Sequence, residues 1–140
     1  MIYGNDPSQY RRFYCETWRK HREGLALEPL ESLVANIIVE HPEYHALLED
    51  PDKLDQTFSP ESGQSNPFLH MGLHIAIQEQ LAADRPTGIR GVYQGLIQRR
   101  ADPHDVEHRI AECLAESIWE AQRNGTAPDE ALYLERLRRL

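Results

Sequence analysis

Apolar positions recur with a helical period along most of this chain, and prolines punctuate them. From Pro7, residues Tyr10, Phe13, Tyr14, Trp18 and His21 share one stripe, which predicts a helix ending near Gly24. Pro29 opens a second periodic segment through Leu30, Leu33, Val34, Ile37 and Ile38. His41-Pro42 should break it before a short continuation to Leu48, because proline has no amide to donate to the helical ladder. Pro67 to about Ala83 reads as a third helix, Thr87 to Ala101 as a fourth, and Pro103 to Arg123 as a fifth that stops at Asn124-Gly125. A short last helix is expected over Pro128 to Arg139, its basic end at Arg136, Arg138 and Arg139 suiting the negative pole of the helix dipole.

Asp6-Pro7, Asn66-Pro67 and Asp102-Pro103 each set a side-chain acceptor before a proline in the first helical position. The acceptor satisfies an amide that the helix leaves open, and proline has none to satisfy, so these are start signals with a mechanism. Residues 50–66, rich in Asp, Ser, Pro, Gly and Gln with Phe58 as their aromatic anchor, read as a long surface loop of the kind that often serves function, here as a mobile segment or a lid over the histidines. No strand pattern and no fixed repeat emerges. The expected fold class is all-α: one domain over residues 1–140, a compact bundle of five to six helices.

Charge narrows the function classes. The 140 residues carry 15 Lys plus Arg against 23 Asp plus Glu, a net charge of −8, which argues against nonspecific binding to nucleic-acid backbones. The longest strongly apolar stretch, near Leu33 to Val39, falls far short of the roughly 18 to 20 residues that span a bilayer, so no membrane association is expected. The polar N-terminal segment Met1 to Arg12 has neither the basic nor the apolar region of a secretory signal, giving a cytoplasmic expectation. Cys15 and Cys113 are too few for a disulfide framework and lack redox or zinc spacing.

Histidine is where the chemistry gathers. Six of the seven fall into pairs four residues apart: His41 and His45, His70 and His74, His104 and His108. Random placement would give only about 0.3 such pairs, and residues at this spacing are neighbours on one helical face. Two imidazoles one turn apart form half of a tetrahedral site for a borderline cation. His70 and His74 share a stripe with Leu73, Ile77 and Leu81, while His104 and His108 lead into Ala111, Ala115 and Ile118. Glu112 extends the second pair into a His-x3-His-x3-Glu column, and oxygen donors would favour iron or manganese over structural zinc. His41, beside Pro42, could instead cap a helix, and His21 ends an aromatic stripe that looks like core. Gly88, Gly91 and Gly95 lack the dinucleotide spacing and fit close helix packing. Arg85, Arg90, Arg99 and Arg100 around them read as a solvated face that could also meet an anionic partner.

The run Asn66-Pro67-Phe68-Leu69-His70-Met71-Gly72-Leu73-His74, continuing through Ala76-Ile77-Gln78-Glu79-Gln80 to Pro86-Thr87-Gly88-Ile89-Arg90, resembles domain-of-unknown-function family 1841. A second block, His104 to His108 with Glu112-Cys113-Leu114-Ala115-Glu116 and Trp119 to Gly125, resembles the same family. The resemblance covers nearly the whole chain and implies a small proteobacterial cytoplasmic protein without an established activity. At the level of fold alone, the chain is similar to metal-binding bundles of the DinB and hemerythrin kind.

These readings converge on a helical protein holding a divalent metal, zinc, iron or manganese, through His70, His74, His104 and His108. His45 would be an extra ligand and Glu112 a ligand or general base. An open coordination position would give a bound water of lowered pKa, supporting hydrolysis or transfer to a small electrophile whose identity the residues do not specify. The rival expectation is a noncatalytic protein-protein interaction module, possible as a homodimer, whose histidines hydrogen-bond within the core.

Overall fold

Helices begin where the local chemistry directs them. In the computed structural model, which describes residues 7–53, 56, 58 and 66–140, Asn66 Oδ1 accepts from the amides of Phe68 at 3.0 Å and Leu69 at 3.3 Å. Asp102 does the same for His104 at 3.1 Å, and Asp129 for Leu132 at 3.0 Å. The resulting order is α1 (Pro7–Arg22), α2 (Pro29–Val39), a 3-10 turn (Pro42–Tyr44), α3 (His45–Leu48), a second 3-10 turn (Pro51–Lys53), α4 (Pro67–Ala83), α5 (Ile89–Arg100), α6 (Pro103–Asn124) and α7 (Glu130–Arg138). That makes seven α-helices and no strand among the described residues. The count exceeds the expected five to six because the segment after the Pro42 break stands as a helix of its own. The expected cap Asp6 and most of the predicted 50–66 loop lie outside the described residues.

The chain forms two compact units, residues 1–71 and 72–140, with the boundary falling within α4. The first unit has an aromatic core. Tyr14, Trp18, Val34, Ala35, Ile37, Ile38, Leu48, Phe68 and Met71 are buried, with Tyr14 and Phe68 rings 5.6 Å apart. Trp18 is flanked by His45 at 4.3 Å and His21 at 5.3 Å. His21, expected as the end of a buried stripe, is exposed and covers the indole from outside. Arg11 lies over the Phe68 ring at 4.9 Å and donates to the Gln56 carbonyl at 2.9 Å.

The second unit is built on aliphatic packing. Ile77, Ile89, Leu96, Val106, Ile110, Ala111, Leu114, Tyr133, Leu134 and Leu137 form one buried cluster. Gly125, with φ +64, ends α6 in the left-handed conformation that glycine adopts without steric cost. The glycines of α5 do not serve the close packing expected of them: a Cβ on Gly91 or Gly95 would meet nothing within 4 Å, so neither marks a close approach of helices. The nearby arginines finish helix ends, Arg90 donating to the carbonyls of Leu81 at 2.7 Å and of Ala82, and Arg100 to that of Leu140 at 2.8 Å. Among the described residues no helix is long and apolar enough to cross a membrane.

Candidate metal centre

In the first unit, His41 sits at the break after α2 and is 1% exposed. Its amide bonds back to Ile38 rather than to Ile37, at 3.0 Å, which leaves the Ile37 carbonyl open at the helix end. The His41 side chain fills that vacancy, Nδ1 donating to Ile37 O at 2.7 Å, so it caps the end of α2 and makes no side-chain capping bond to the 3-10 turn that follows. A carbonyl only accepts, so Nδ1 carries the proton, and in the neutral form of such a ring the lone pair is on Nε2. The ring stacks on Tyr44 at 5.5 Å and meets His70 edge-on at 5.1 Å. His45 is engaged elsewhere: its Nε2 donates to Ile38 O at 2.7 Å and its ring packs on Trp18, tying α3 to the end of α2.

The second unit repeats the arrangement with different chemistry. His74, also 1% exposed, directs Nδ1 at Glu107 Oε1 at 3.0 Å. Gln78, one turn further along α4, donates through Nε2 to both carboxylate oxygens, at 3.1 and 3.2 Å. Burial alone would push the Glu107 carboxyl up, but the hydrogen bonds from His74 and Gln78 and the adjacent imidazoles hold it below the usual carboxylate range. His108 meets His74 edge-on at 4.9 Å and His104 at 4.2 Å, while His104 lies 6.3 Å from His74. His108 is half-buried and His104 exposed. Each unit therefore sets imidazoles side by side, an arrangement that can hold a metal ion. His70 and His74 also share one face of α4, one turn apart.

Glu112, by contrast, is exposed. A spacing of four advances about 400° on a helix of 3.6 residues per turn, so a column read in fours drifts about 40° at each step. Two steps from His104 carry Glu112 out of the buried stripe, which runs instead through Glu107, Ala111 and Leu114. Glu107, three residues after His104 and three before Ile110, is the carboxylate that α6 buries against His74.

An all-helical protein with paired, anchored imidazoles is the class that this fold and site define. The chain belongs to the family described as Domain of unknown function (DUF1841), whose profile matches residues 6–139. No curated protein and no solved structure matches it.

Proposed function

We propose that the protein binds a divalent metal through its paired imidazoles, His41 with His70 in the first unit and His74 with His108 in the second. The observation that carries this reading is the anchoring of its two most buried imidazoles. His41 and His74 each spend Nδ1–H on a fixed acceptor, so each is held in the tautomer and orientation that offers Nε2, as metal-ligating histidines generally are. His70 and His108 supply one neighbour to each anchored ring. His104, exposed and packed on His108, stands at the edge of this set, and His45 and Glu112 outside it.

The donor chemistry selects the ion. With Glu107 committed to His74 and Glu112 facing solvent, the ligands are imidazole nitrogens, which suit zinc or ferrous iron; manganese prefers oxygen donors.

Elemental analysis of protein purified without an affinity tag or chelator tests the reading. It should find zinc or iron in a fixed ratio to the chain rather than in traces. Added zinc at a hundredfold excess over its dissociation constant should stabilise the fold by about 2.7 kcal/mol. Replacing His74 and His108 together by Gln should remove that gain and leave a helical protein. Metal-free wild type with no response to added zinc or iron would leave the histidines as hydrogen-bonded core residues and favour an interaction module.

A further inference from the structure

Resting on that metal-binding reading, we infer that Glu107, held by Gln78, is a positioning residue that aims His74 Nε2 at the metal. His74 Nδ1 meets Glu107 Oε1 at 3.0 Å, and Gln78 Nε2 holds both oxygens of that carboxylate at 3.1 and 3.2 Å, a more determined geometry than a merely buried histidine requires. A neutral acceptor is enough to fix a buried imidazole, as the Ile37 carbonyl fixes His41. His74 faces a carboxylate instead, on a residue only 8% exposed, where an ionised group is costly unless nearby positive charge compensates it. A divalent cation on the far side of the imidazole supplies that charge through the ring.

Gln78 completes the device. Its single amide nitrogen lies within hydrogen-bond distance of both carboxylate oxygens, which fixes the carboxylate's plane and leaves Oε1 directed at His74. Because Gln78 follows His74 by one helical turn, α4 carries both the ligand and the group that sets the ligand's partner. The negative charge also strengthens Nε2 as a donor, the effect of a carboxylate behind a metal-bound imidazole.

Titration of the full chain with Co2+, followed by its visible absorption, tests this. Glu107→Gln should weaken Co2+ binding about 10- to 100-fold and shift the absorption band, because the ring is reoriented as well as less basic. Gln78→Leu, which leaves Glu107 in place, should weaken binding in the same direction by a smaller factor, with the apo fold intact by circular dichroism. If Glu107→Gln fails to fold, Gln78→Leu carries the test alone through the same two readouts. Wild-type affinity and spectrum in the folded variants would overturn the positioning role while leaving the metal site standing. Failure of the wild type itself to bind Co2+ would overturn the metal-binding reading and this inference with it.

Discussion

His41 and His74 are equally buried and both anchored through Nδ1, yet the two units achieve this by unlike means. In the first unit the acceptor is the Ile37 carbonyl, four residues back on the same helix and left open because Pro42 stops α2. That anchor is local, made by the backbone, and independent of any other side chain. In the second unit the acceptor is Glu107, 33 residues away on another helix and itself held by Gln78. That anchor exists only once α4 and α6 pack. The cores differ in parallel, aromatic rings and imidazoles around Trp18 in the first unit and branched aliphatic chains around Ile110 in the second. An anchor of that kind depends on how the close-packed side chains around it are placed.

The largest expected effect tests that dependence. Ile110 is fully buried, three residues beyond Glu107 on α6. Ile110→Ala should cost about 2–5 kcal/mol in urea unfolding, through lost burial and the cavity left behind. It should also weaken Co2+ binding, because the packing that presents Glu107 to His74 loosens. Large destabilisation with unchanged metal affinity would show that the Glu107 anchor does not need this core.

The same contrast explains what could be read in advance. Helix starts at Pro67 and Pro103 were legible because their caps act within three residues, and the histidine pairs because a four-residue spacing is a local fact about one helix face. The Glu107 to His74 bond was not legible, since it joins positions 33 apart whose pairing is set by how α4 meets α6. The capping role of His41 was legible because Pro42 marks the break plainly, but nothing in the order of residues says that the amide would turn to Ile38 and leave Ile37 to the side chain. The exposure of Glu112 was not read in advance, because a column taken in fours drifts on a helix of 3.6 residues per turn.

Caps give an intermediate effect in both units. Asn66→Ala should remove the acceptor for the amides of Phe68 and Leu69, and Asp102→Ala the one for His104. Each should lower stability by about 1 kcal/mol. The informative difference lies in metal binding: Asp102 starts the helix that carries His104, Glu107 and His108, so its loss should weaken Co2+ affinity as the first turn of α6 frays. Asn66→Ala should act on His70 alone, which follows it by one turn. Equal losses of affinity would erase the distinction between local and packed anchoring.

The smallest expected effect concerns two carboxylates, one in each unit, that acid should address. In the first unit Glu31 is held below the usual carboxylate range first by the Glu28 amide at 2.9 Å, then by the Lys20 ammonium at 2.9 Å. In the second, Asp84 is held low first by the amide of Arg90 at 3.0 Å and then by that of Gly88 at 3.3 Å. A carboxyl whose pKa is depressed by folding contributes stability that is present above its unfolded value, about 4.3 for Glu and 3.9 for Asp, and lost as pH falls through the folded one. Both groups therefore favour the fold at neutral pH and cease to do so in acid. Glu31→Gln and Asp84→Asn should each lower the urea midpoint near neutral pH and flatten the acid decline. Their responses to salt should part, because Glu31 bonds a side-chain cation, whereas Asp84 bonds backbone amides and feels the Arg90 charge only as its weakest influence. Raising salt from about 0.1 M to 1 M, which shortens the screening length from roughly 10 Å to 3 Å, should diminish the Glu31 contribution and spare that of Asp84. Urea midpoints of both variants at the two salt concentrations decide the point, and an equal response would place the two carboxylates in one electrostatic class.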